Sequence, residues 1–342
     1  MALWVEGTDV ATSDGMILAG DIGGTKTVLA LFEEEGPTMR EPSHQETFPS
    51  RQYSTFVDVL SGFLNHSPQV RIRAACFGVA GPVVDGRSRT TNLPWLLDER
   101  DLQAHLGIEQ VRLLNDVEAA AYGMLHLQED EFGVLNPESE PGRKGHAALI
   151  AAGTGLGEAI LYWDGLRYHP MASEGGHADF APQSDEEIAL LKYLRTQIGH
   201  VSYERILSGP GLFALYTFLR DTGYADEPPW LREKVQTGDP SVAVTEIGLA
   251  GGHPLCTEAL TLFSRIYGAA AGNLALHVLA YGGVYVGGGI APKIVTKLKD
   301  GSFMEGFTSK GRYMGFLKGI RVSVALNPLA PLIGAANFAK LL

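Results

Sequence analysis

Two stretches of this chain follow one scheme. Residues 17–32 (ILAGDIGGTKTVLALF) and 149–163 (LIAAGTGLGEAILYW) each read as an apolar strand, a glycine and threonine turn, and a second apolar strand. A unit of this kind repeated once along the chain suggests two related halves, each built on its own sheet. Glycine drives the scheme: 42 of the 342 residues are glycine, against an average near ~7%. They have no collagen-like period and cluster at Gly20–Gly24, Gly153–Gly157, Gly175-Gly176 and Gly282–Gly289. Glycine admits positive φ and close backbone approach, so successive N–H groups in such turns can converge on an anion.

Around the two units, strands alternate with helices. The patterns predict strands over 16–22, 27–32, 72–79, 111–114, 147–151, 158–163, 283–287 and 321–326. Helices are predicted over 53–64, 98–106, 117–126, 184–198, 209–220, 240–249 and 257–280, with a last one from Leu332. The polar stretch 136–145 (NPESEPGRKG) reads as a loop. Such alternation indicates an α/β class with helices covering a sheet. The length suits two domains, expected as a small one over 16–126 plus 328–342 and a large one over 127–327, with 1–15 as a flexible leader.

Charge narrows the partners. The formal net charge is −12 and no basic cluster exceeds two residues, which excludes the cationic footprint of a nucleic-acid binder and disfavours an anionic membrane surface. Tyr267–Ile290 carries no Lys, Arg, Asp or Glu. It contains Asn273 and His277 and breaks at Gly282-Gly283, so it reads as a buried helix followed by a buried strand rather than a membrane span. Cys76 and Cys256 are the only cysteines, both in apolar surroundings. They offer neither a disulfide framework nor a cysteine zinc site, and they suit a reducing cytoplasm.

The glycine turns miss both common nucleotide motifs. Thr25 rather than glycine precedes Lys26-Thr27, so the first turn is not a Walker A loop. Gly153–Gly157 reads G-x-G-x-G and enters a strand, so it is not a dinucleotide fingerprint. A different phosphate-binding fold is indicated. Asn115-Asp116 stands where a short apolar strand meets a helix, as a helix cap or as a group projected at the carboxyl end of a sheet.

Seven segments carry a family resemblance: LAGDIGGTKTVLALF, GVAGPV, LLNDVEAAAYG, AAGTGLGEAIL, SEGGHADFAP, GHVSYERILSGPGL and GGVYVGGGIAP. In this order they resemble the signature segments of bacterial-type glucokinases, within the wider superfamily of sugar kinases and actin-like ATPases. The resemblance runs from about residue 16 to the C-terminus. SEGGHADFAP with GHVSYERILSGPGL is its specific part, whereas DIGGT marks only the superfamily.

The resemblance implies an α/β fold of two domains of the ribonuclease H-like/actin-like ATPase type, with an interdomain cleft. It implies that Gly20, Asp21, Ile22, Gly23, Gly24 and Thr25 hold the phosphates of ATP, Asp21 positioning Mg²⁺ through water. Gly153, Thr154, Gly155 and Gly157 would face the phosphates from the other domain, and Gly287, Gly288 and Gly289 would back the adenosine. Asn115, Asp116, Glu174, His177 and Glu204 would contact the sugar, with Asp116 as catalytic base. A sugar presents several hydroxyls, so clustered Asn, Glu and His acceptors suit it. The implied activity is phosphorylation of D-glucose at O6 by MgATP, in a cytoplasmic homodimer without nucleic-acid or membrane partners.

No zinc is expected. A zinc reading of His177 with His169 or His200 lacks the C-x-C-G-x-x-G-C-x-E motif of the related repressor–ORF–kinase proteins. Three alternatives stay open. One is a kinase for fructose, mannose or an N-acetylhexosamine. A second is a sugar-sensing regulator, which requires a helix-turn-helix ahead of DIGGT, where a 15-residue segment of acidic balance precedes Met16. The third is a filament-forming or chaperone-type ATPase, against which the Glu174–His177 and Glu204 segments argue.

Overall fold

The computed structural model describes residues 15–342 except 35, 37, 91, 92 and 140–142. The expected leader, apart from Gly15, and the middle of the 136–145 loop lie outside the described residues. The chain forms two compact units. One ends at Asp116 and takes in Ala335–Leu342; the other is Val117–Gly334.

The first unit holds β1 (Met16–Ile22), β2 (Lys26–Phe32), β3 (His44–Pro49), α1 (Phe56–His66), β4 (Ile72–Val79), β5 (Val83–Val84), β6 (Arg87–Arg89), β7 (Leu96–Asp98), α2 (Glu99–Leu106) and β8 (Gln110–Asn115). Five strands form a sheet in the order β3-β2-β1-β4-β8, and β5-β6-β7 form a small second sheet. β1 and β2 are the predicted antiparallel hairpin, while β1, β4 and β8 run parallel. Their apolar runs bury against Phe56, Leu60 and Phe63 of α1 and against Phe77 and Trp95. α1 begins three residues later than its apolar spacing predicts. Thr55 and Asp58 close a capping box that fixes the first turn at Phe56.

The second unit continues with α3 (Asp116–Met124), β9 (Phe132–Val134), β10 (Ala147–Ala152), β11 (Leu156–Trp163), β12 (Tyr168–Ser173), α4 (Asp185–Ile198), α5 (Gly209–Asp221), α6 (Pro229–Gln236), α7 (Pro240–Leu249), α8 (Pro254–Val278), β13 (Gly283–Gly287), α9 (Val295–Leu298), α10 (Ser302–Thr308), α11 (Met314–Lys318), β14 (Val322–Ala325) and α12 (Ala330–Ala339). Its sheet has the order β12-β11-β10-β13-β14-β9. β10 and β11 form an antiparallel hairpin, and β10, β13 and β14 run parallel. Apart from the added β9, this repeats the order and pairing sense of the first sheet, which is the outcome that the paired sequence units suggest.

The aromatic residues spaced along α8 are core: Phe263 and Tyr267 are completely buried. Among the described residues, no helix is long and apolar enough to cross a membrane. At the other end of the chain, Asn337, which belongs to the first unit, pairs there with Met39. Its amide accepts from Met39 N at 3.0 Å and donates to Met39 O at 2.7 Å.

Candidate active site

In the first unit, Ile22, Val79 and Asn115 stand in register at the carboxyl ends of β1, β4 and β8. This edge of a parallel sheet is where α/β folds bind ligands. The turn after β1 is fixed from one side. Gly23 N donates to Lys26 O at 3.0 Å, Ser50 N to Thr25 O at 3.1 Å and Ser50 Oγ to Gly23 O at 2.8 Å. Thr27 Oγ1, itself buried, lies 2.9 Å from Ser50 Oγ. The carbonyls of Gly23, Thr25 and Lys26 are therefore engaged, while the N–H groups of Gly24 and Thr25 meet no acceptor among the described residues. Free amides in a tight turn are an anion site.

The other residues of this motif act differently. A Cβ on Gly20 would come within 2.6 Å of Phe77 Cδ1, so Gly20 is required by packing inside the sheet. Ile22 buries its side chain in the core. Asp21 is half-buried, and burial pushes its carboxyl up to about 6, opposed by the Lys26 charge. A lone carboxylate beside a turn of this kind fits the donor set of Mg²⁺, which takes few protein oxygens and completes its shell with phosphates and water. Asn115 Nδ2 donates to Gly81 O at 3.1 Å, and Asp116 opens α3.

In the second unit, the β10–β11 turn is clamped. Gly153 N donates to Gly155 O at 2.8 Å, Gly209 N to Gly153 O at 2.9 Å, and Leu156 N to Glu204 Oε2 at 3.0 Å. Gly209 opens the 13-residue α5, whose N-cap is Ser208, so a helix N-terminus adjoins the turn. A Cβ on Gly155 would stand 2.5 Å from the same Glu204 oxygen. The turn after β13 lies alongside: Ile290 N donates to Ala152 O at 3.2 Å, and Gly288 adopts φ +81°, where a side chain would overlap Ala152 O.

Glu174, His177 and Glu204 come together on this unit. His177 Nδ1 is 3.7 Å from Glu204 Oε1, and its Nε2 is 3.8 Å from Glu174 Oε2. The backbone joins them as well, through His177 N to Glu174 O at 3.0 Å and Glu204 N to Gly176 O at 2.9 Å. Gly175 and Gly176 are needed because the turn presses onto β11. A Cβ on Gly176 would overlap Leu156 O, and one on Gly175 would overlap Glu158 Oε2. Glu204 thus has one oxygen on the β10–β11 turn and the other toward His177.

The other histidines considered for zinc have separate carboxylates: His169 meets Asp164 at 2.7 Å and His200 meets Asp179 at 2.8 Å. Both cysteines are buried, and burial pushes the Cys256 thiol up to about 12, so it packs rather than reacts. Sequence reasoning missed Ser50 in the first unit and Glu158 in the second. An acid inside the apolar run LGEAILYW was a usable signal for Glu158. Nothing in the polar segment around Ser50 marked it.

The family model for glucokinase matches residues 18–342. The chain belongs to the glucokinase family. Glucokinase of Nostoc punctiforme is 41% identical over 334 residues, covering 94% of this chain and 98% of that relative. Glucokinase of a Synechocystis species is 42% identical over 343 residues, with 93% and 96% covered. The crystal structure of glucokinase from an Antarctic psychrotroph is similar at a TM-score of 0.85 and 29% identity, covering 96% of this chain and all of that one. The glucokinase match extends over both hairpins, Asn115-Asp116, Glu174–His177 and Glu204.

Proposed function

We propose that this chain transfers the γ-phosphoryl group of ATP to O6 of D-glucose, giving glucose 6-phosphate and ADP, with Asp116 as the base. The observation that carries the reading is Glu204, which joins Leu156 N of the glycine turn and approaches His177 of the sugar triad with its two oxygens. Family membership along residues 18–342 supports the same reaction.

In this reading Glu174 and Glu204 accept hydrogen bonds from the sugar hydroxyls, and His177 donates or accepts according to its tautomer. Asn115 and Asp116 orient O6. The Gly24 and Thr25 amides, the Gly153–Gly157 turn and the α5 N-terminus hold phosphate oxygens, and Gly287–Gly289 lie against the adenosine. The O6–phosphorus bond forms as the bond to the β-phosphate oxygen breaks, and the O6 proton passes to the Asp116 carboxylate late in a loose transition state. Asp21 would hold Mg²⁺ through water, and the bound ion supplies neutralisation of phosphate charge. Cytoplasmic location and a homodimer belong to the proposal on the strength of the resemblance.

A coupled ADP-release assay over glucose, fructose, mannose and N-acetylhexosamines tests the reading. Glucose is expected to give the highest kcat/KM. Another hexose in first place replaces the substrate, and ATP turnover indifferent to every sugar overturns the kinase assignment.

A further inference from the structure

Glu158 lies in the middle of β11, paired with Ile150 of β10 on one side and Ser173 of β12 on the other. It is only 8% exposed, and no hydrogen-bond or ion-pair partner meets its carboxyl among the described residues. An isolated buried carboxylate is costly, so a chain that keeps one uses it or suffers from it. The carboxyl fills the space that a side chain on Gly175 would need: a Cβ there would overlap Oε2 and stand 2.9 Å from Cδ. Gly175 is the second residue of the Glu174–His177 turn. The same turn rests on β11 through Gly176 over Leu156 O, so Glu158 is one of two supports beneath the sugar triad.

We propose that Glu158 is a positioning residue for sugar binding: its carboxyl supports Gly175 and so holds Glu174 and His177 in place. The inference rests on the sugar-binding reading of that turn. The charges that bear on Glu158 come from α8 and from the segment before α5. Tyr267 hydrogen-bonds Ala152 N at 3.1 Å and Tyr203 accepts from Asn273 Nδ2 at 2.9 Å; burial raises both phenols, so both are neutral. Ser173 Oγ, the remaining polar neighbour, accepts from Gly175 N at 3.0 Å. With no cation in this set, burial alone pushes Glu158 up to about 7. As pH rises through that value an unmatched charge develops under Gly175, and relief requires the turn to lift toward water.

Calorimetric titration of the whole protein with glucose from pH 6 to 8.5, without ATP, reads this directly. Wild type is expected to lose affinity by about threefold or more over that range, while Glu158→Gln stays flatter by at least that factor. Superimposable pH profiles overturn the proposal. Because the two proteins differ only at position 158, the difference between profiles isolates Glu158. A steric arm is independent of pH: Gly175→Ala should weaken glucose binding by about tenfold in wild type and by much less in Glu158→Ala, where the space is vacant. Equal losses in both backgrounds contradict it. Glu174→Gln and His177→Ala serve as controls. If they weaken binding while the Glu158 profiles coincide, only the positioning role fails; if they leave binding intact, the sugar-turn reading fails and takes the role with it.

Discussion

The β1–β2 hairpin and the β10–β11 hairpin share a strand–turn–strand scheme and a place in equivalent sheets, yet they are held in different ways. The first carries its own carboxylate, Asp21, and is braced by Ser50, which engages Gly23 O while the Gly24 and Thr25 amides meet no acceptor among the described residues. The second has no acid in its turn. It takes one from elsewhere in the chain, Glu204, on Leu156 N, and that acid also approaches His177. In the proposed reaction the first turn serves the nucleotide alone, whereas the second is where nucleotide and sugar contacts share a side chain.

Gly155→Ala breaks the second arrangement. The new Cβ displaces the flexible end of Glu204 rather than backbone, so the fold should survive. A misplaced substrate group costs on the order of 10²-fold, expected here in kcat/KM for glucose with the unfolding midpoint nearly unchanged. A loss confined to KM for ATP would sever the proposed link between turn and sugar. Ser50→Ala breaks the first arrangement. It removes the partner of the buried Thr27 hydroxyl and the bond to Gly23 O, at about 1–3 kcal/mol of stability. KM for ATP should rise while glucose affinity is retained; parallel losses of both would show that the two hairpins are not specialised.

These contrasts were only partly legible in the sequence. The long apolar strands β1, β2, β4, β10 and β11, with the glycine turns between them, are apparent because burial on both faces leaves continuous hydrophobic runs. Edge strands escape that signal. β3 (HQETFP) buries only Phe48, and β12 (YHPMAS) includes a proline and has no fully buried residue. The short helices α6 and α9–α11 are too brief for helical spacing to emerge. Within the site, Glu174, His177 and Glu204 were found by motif. The packing of Glu158 and Leu156 beneath their turn was not, because it arises from β11 lying under Gly175-Gly176. No local pattern reports such a contact.

The smallest expected effect sharpens the second region. Glu158 has its folded pKa raised from 4.5 to about 7 by burial. Folding therefore takes up protons between those values, and stability falls as pH rises through that window, with the full penalty present above it. Thermal unfolding of Glu158→Gln should match wild type near pH 4.5 and exceed it by a few degrees at pH 8, a shift of the size that ~1 kcal/mol produces. An advantage that is constant with pH would place the cause in packing.

Asp116 is the most direct test of the whole account, since it alone is assigned the proton of O6. For Asp116→Ala, ADP release at saturating glucose and ATP should fall by about 10²–10⁴-fold, while calorimetric glucose affinity drops by much less. Turnover within about tenfold of wild type would contradict both the assignment of the base and the mechanism built on it.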